Sequence, residues 1–94
     1  MSEKTLYLVQ SNYANTDHVL NKLTQIYDHE DAIVLMGESI LFINDAKVEN
    51  FHHVYVLEND TELLAHAISE QIQVLNYAQF SDLVLTFKRA ISLK

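Results

Sequence analysis

The 94-residue chain has no cysteine, no proline and no tryptophan, and its only glycine is Gly37. Without cysteine there is no disulfide, no thiolate nucleophile, no Cys-ligated zinc and no persulfide carried by the chain itself. A single glycine excludes a phosphate-binding P-loop and a dinucleotide fingerprint, because both need several positions without a Cβ beside the phosphates. There is also no Pro/Gly/Ser-rich linker, no low-complexity tract and no repeat of solenoid period. The apolar runs at residues 32–36, 40–43 and 54–57 fall far short of a membrane span, and the opening Met-Ser-Glu-Lys is polar. A cytoplasmic chain with no membrane contact is expected on these grounds.

What is present is an ordinary globular composition, 49% hydrophobic and 20% charged. For 10.8 kDa, area scaling gives a folded surface of roughly 5,500 Å² against roughly 15,700 Å² for the extended chain. That buries about two-thirds of the surface, enough for one core, so residues 1–94 are read as a single domain. Thirteen acids against six bases leave a net charge of −7, unevenly spread. Residues 1–82 carry every acid but only Lys4, Lys22 and Lys47, whereas residues 83–94 carry Lys88, Arg89 and Lys94 and no acid. Such a surface repels phosphate, so direct nucleic-acid binding is not expected. Solubility is the plain account of the acidity, and guidance towards a more basic protein is the other.

Two periods alternate along the chain. Residues 5–9 form a β-favouring run; from Thr16, Val19, Leu20, Leu23, Ile26 and Tyr27 fall on one helical stripe. Thr16 and Asp17 suggest that helix's start, by hydroxyl capping and by an acid at the positive dipole end. Residues 32–36, between Asp31 and Gly37, read as a strand buried on both faces. Ile40-Leu41-Phe42-Ile43 fits either a helical turn or a strand. Residues 53–57 predict a further strand, and Asn59-Asp60-Thr61-Glu62 resembles a capping box opening a helix with Leu63, Leu64, Ala67 and Ile68 inward. Residues 72–75 predict a fourth strand. Asn76-Tyr77-Ala78-Gln79 then starts a helix with Phe80, Leu83, Val84, Phe87 and Ile91 inward and Lys88 and Arg89 in its last turns. This alternation implies an α/β fold: a small doubly wound, mostly parallel sheet with helices on both faces.

In such folds ligands bind beyond the carboxyl ends of the strands. Those ends supply Ser11 and Asn12, then Gly37, Glu38 and Ser39, then Glu58, Asn59 and Asp60, then Asn76 and Tyr77. Capping of helices and turns accounts for these residue types without any catalysis. Gly37-Glu38-Ser39 falls short of a nucleophile elbow, because position 41 is Leu where a glycine is needed, and nothing places a histidine base beside Ser39. A metal site could draw only on Glu49, His52 and His53, and adjacent histidines in extended chain point to opposite faces. No metal, cofactor or catalytic residue is therefore expected. His18, His29 and His66 are isolated along the sequence, and the five tyrosines are scattered over different elements.

Three stretches resemble the DsrH/TusB family. They are Leu6-Tyr7-Leu8-Val9, the run Asp31-Ala32-Ile33-Val34-Leu35-Met36-Gly37-Glu38-Ser39-Ile40, and Ile72-x-Val74-x-x-Tyr77-x-x-Phe80-x-x-Leu83-Val84. The family's Gln-Asp-Gly-Val turn falls on Gly37-Glu38-Ser39-Ile40, which keeps an acid and an aliphatic residue but displaces the glycine. The thiol of cysteine-bearing relatives and the tryptophan ending of several members are missing here.

The resemblance implies a flavodoxin-like topology and a place in a hetero-oligomer with DsrE/TusD-like and DsrF/TusC-like sister subunits. In the Tus system this is a dimer of three-chain units that passes persulfide sulfur, on a sister's cysteine, towards thiolation of the tRNA wobble uridine. This chain would then be a non-catalytic supporting subunit, and in isolation it could form a homo-oligomer. A permanent partner needs an apolar surface; Glu38, Ser39, Ile40, Leu41 and Phe42 are the candidate interface, with closure of the core as their other use. The alternative function is a stand-alone small-ligand or regulatory domain using acids near Glu38 and Glu58.

Overall fold

The computed structural model of the chain describes residues 4–65 and 67–94, so His66 lies outside the described residues. Five strands form one all-parallel sheet in the order β4-β3-β2-β1-β5, comprising β1 (Thr5–Val9), β2 (Ala32–Leu35), β3 (Val54–Leu57), β4 (Ile72–Leu75) and β5 (Arg89–Leu93). Helix α1 (Tyr13–Ile26) joins β1 to β2, and a 3₁₀ segment (Gly37–Phe42) with the short α2 (Ala46–Glu49) joins β2 to β3. A second 3₁₀ segment (Glu58–Leu63) opens the path to β4, and α3 (Tyr77–Thr86) leads to β5.

The chain steps three times in one direction across the sheet, then returns past β1 to place β5. With crossovers of one hand, the one through α3 must therefore lie on the face opposite to the three before it. Packing agrees. Val19, Leu20 and Leu23 of α1, Ile40, and Val48 of α2 cover Tyr7, Val9, Ile33, Leu35, Val54 and Val56 on one face. Phe80, Leu83 and Val84 of α3, with Phe87, lie against Leu6, Ala32 and Val34 on the other. The central strand β2 is buried at every position, as its continuous apolar run requires. The fold is the small doubly wound α/β architecture expected from the alternation.

Several elements differ from their expected form. Helix α1 starts at Tyr13 on an Asn12 cap, whose side chain accepts from the Asn15 N–H at 2.9 Å; Thr16 is buried inside the helix and donates to the Asn12 carbonyl. Ile26 of its expected inner stripe is exposed. Ile40, Leu41 and Phe42 belong to the first 3₁₀ turn, and Ile43 is its C-cap. The helix expected from Asn59 is a six-residue 3₁₀ segment that starts at Glu58, so its N-cap position is the apolar Leu57 and it has no side-chain cap; Asp60 inside it turns its carboxylate to another loop. Asn, Asp and Thr also disfavour a helix interior. The helix from Asn76 does carry its reciprocal box, with Gln79 N–H to Asn76 at 2.8 Å and Asn76 N–H to Gln79 at 2.9 Å. It ends at Thr86, however, and Arg89, Ile91 and Leu93 lie in a fifth strand paired to β1. Ile91 fits the helical stripe four residues after Phe87, but with Leu93 it also satisfies a two-residue period, and the open edge of β1 selects the strand.

Candidate functional site

The carboxyl edge of the sheet gathers the polar residues that the pattern assigned to it. Gly37, with φ +59, is the turn that redirects the chain after β2; this left-handed conformation disfavours a Cβ. The turn carries Glu38 to the start of α1, where its carboxylate accepts the Tyr13 N–H at 2.7 Å. An acid at a helix N-terminus takes up an open donor and opposes the positive dipole end. Asp60, from the loop after β3, reaches back to accept the Gly37 N–H at 2.9 Å. Each loop's acid thus caps the loop of the preceding strand, β3 to β2 and β2 to β1.

The hydroxyls are committed in the same way. Ser39 is fully buried, with its Oγ 2.7 Å from the Met36 carbonyl and 2.9 Å from the Val9 carbonyl, tying the ends of β1 and β2 together. Its hydrogen bonds go to carbonyls, the opposite of what a nucleophile directed at a substrate requires. Ser11 donates to Thr16 at 2.7 Å, and Thr16 passes its own proton to the Asn12 carbonyl at 2.6 Å.

Two shallow grooves remain. Gln10, Ser11, Asn12, Met36, Gly37 and Glu38 line one, between the ends of β1 and β2. The other lies between β3 and β4 and is lined by Leu57, Glu58, Asn59, Leu75, Asn76 and Tyr77. Here the connections leave for opposite faces of the sheet, although the strand order itself reverses at β1–β5.

Of the expected interface residues, Ser39 and Ile40 are wholly buried, Phe42 is half-buried, and Glu38 and Leu41 are exposed. Tyr13, also exposed, sets its ring 5.1 Å from that of Phe42, so the accessible patch is Tyr13, Leu41 and Phe42 beside the Glu38 carboxylate. Tyr13 could not be placed there from sequence, because it joins Phe42 only through the packing of α1 on the 3₁₀ turn.

Glu49, His52 and His53 do not converge: Glu49 lines a separate small pocket, while the His52 ring lies parallel to Tyr27 at 6.4 Å and edge-on to His29 at 6.1 Å. Among the described residues no group of three or more histidines and acids can hold a metal. Tyr27 also accepts the His52 N–H at 2.8 Å; burial pushes its phenol above the usual range, as it does for Tyr7, where Asp31 adds to the effect. Lys47 donates to Asp17 at 2.6 Å, which raises its ammonium above the ordinary lysine value, with Asp45 contributing.

The residue that the pattern did not single out for a role is Asp31. It is buried at the entry to β2, at the opposite end of the sheet, and accepts the Thr5 N–H at 2.8 Å and the Asp28 N–H at 2.9 Å. The acid heading the apolar run was its only signal.

Fold and site together define a small, all-parallel, doubly wound α/β protein in which the strand-end acids Glu38 and Asp60 are spent on its own backbone. A family model described as DsrH like protein matches residues 11–90. The chain belongs to the DsrH family, and membership carries a general role as a sulfur-relay subunit. No curated protein matches it.

Proposed function

We propose that this chain is a non-catalytic subunit of a hetero-oligomeric sulfur relay in the cytoplasm, one that passes persulfide sulfur towards thiolation of the tRNA wobble uridine. The observation that carries the reading is a DsrH-family chain without a single cysteine. A persulfide resides on a cysteine sulfur, so the thiol must come from sister subunits of DsrE/TusD and DsrF/TusC type. The inward Ser39 hydroxyl and the capping roles of Glu38 and Asp60 support a supporting rather than a reacting part. The acidic surface fits a subunit that leaves tRNA contact to others. The sister contact is assigned to the Tyr13–Leu41–Phe42 patch beside Glu38.

Co-expression with the two sister chains and purification through a tag on this chain tests the assignment. A stable complex is expected, and Leu41→Asp should weaken it about tenfold without unfolding the chain, since Leu41 is exposed. Recovery of this chain alone overturns the subunit role. Unchanged thiolated uridine in tRNA from a deletion strain overturns the tRNA part.

A second reading is a ligand-binding domain, favoured by the groove at the carboxyl ends of β3 and β4. Stabilisation by a metabolite, seen as a rise in Tm that Glu58→Gln removes, would select it.

A further inference from the structure

Helix α3 is apolar over more surface than the sheet can cover. At 100° per residue, the arc from Leu83 through Phe80, Val84, Tyr77, Ser81 and Leu85 to Ala78 spans roughly 220°. A helix resting on a sheet needs a stripe little more than 100° wide. No residue of α3 is fully buried, and Tyr77 and Leu85, at 81% and 83% exposure, are the most exposed large apolar side chains of the described residues. Tyr77, Ser81 and Leu85 follow one another at four-residue spacing, with the small Ser81 at the centre of a groove that Phe80 and Val84 complete.

We infer that this ridge is a two-fold interface between copies of the chain, with α3 packed antiparallel to the partner's α3. Such pairing sets Leu85 over the partner's Tyr77 and brings the two Ser81 positions together on the axis, where small side chains allow close approach. The charges at the two ends of the helix match this register. Glu58 lines the groove beside Tyr77 at the start of α3, while Lys88 follows its end in a segment that has no acid; Arg89 turns to Tyr7 on the other face of the sheet and takes no part. An antiparallel two-fold therefore faces base with acid twice, whereas a parallel one sets like charges together.

The interface is tested on the chain by itself, so its outcome is independent of the sister subunits. Sedimentation equilibrium over a wide concentration range should show mass moving from one chain to two. Leu85→Asp should weaken the dimer about tenfold or more. It should leave the thermal melt of the monomer unchanged, because Leu85 makes little contact within the chain. Lys88→Glu should also weaken it, and adding Glu58→Lys should restore it. A monomer at every concentration overturns the inference, as does a dimer indifferent to Leu85→Asp; failure of the reversed charges to restore association overturns the antiparallel register. If the chain alone is monomeric and Leu85→Asp instead abolishes capture by a sister subunit, the face belongs to that contact. The self-pairing is then overturned while the relay reading stands.

Discussion

Asp31 joins two turns of chain at the entry to β2 by taking the Thr5 and Asp28 N–H groups on its two oxygens. Thr5 is buried, so its N–H has no water to turn to if the carboxylate is removed. Asp31→Ala should cost about 2 kcal/mol, the desolvation penalty of an orphaned buried donor, and Asp31→Asn should cost less because one oxygen remains. Urea unfolding checks this as a fall in midpoint at unchanged slope. Asp31 is also where sequence alone says least. An acid before an apolar run reads as a boundary, and only the return of the chain beside Thr5 turns it into a tie. Glu38 and Asp60 follow the same logic: their presence at strand ends was legible, their backbone partners in other loops were not.

At the scale of elements, the turn after β2 depends on Gly37 in the left-handed region, and nothing lies within 4 Å of where a Cβ would stand. Gly37→Ala should therefore destabilise by conformational strain without a clash, about 1 kcal/mol, and Gly37→Asn by less, since Asn tolerates that region. Thermal melts of the two variants, ranked Gly above Asn above Ala, check the order. Strands β1 and β4 and the capping box at Asn76 matched their sequence patterns residue for residue. Two elements differ from their local patterns. The segment after β3 starts one residue before the expected cap, at Glu58, which leaves the apolar Leu57 at its N-cap, and the last strand satisfies two local patterns at Ile91, where the open edge of β1 made the choice.

Across the whole molecule, stability at high pH follows from three protons. Tyr7 and Tyr27 are held in the neutral form by burial, and Lys47 in the charged form chiefly by its bond to Asp17, so all three keep their protons more tightly folded than unfolded. Below about pH 10 both states carry these protons and the stabilisation is complete; above it the unfolded chain releases them first. Stability should accordingly fall as pH rises through the range between the unfolded and folded values. A Tm profile from neutral to strongly alkaline pH checks this, and Tyr7→Phe with Tyr27→Phe should flatten it.

The order of apolar periods by itself determined the α/β class, the four strands from β1 to β4 and the capped start of α3, and composition determined the absence of any thiol. These depend on spacing within a few residues or on composition, and both can be read along the chain. Only the tertiary structure decided the fifth strand, the capping of one strand-end loop by the acid of the next, and the wide apolar surface that α3 leaves open. Each of these is set by a hydrogen bond or contact between segments far apart in sequence, and a local pattern holds no record of which segment will lie beside it.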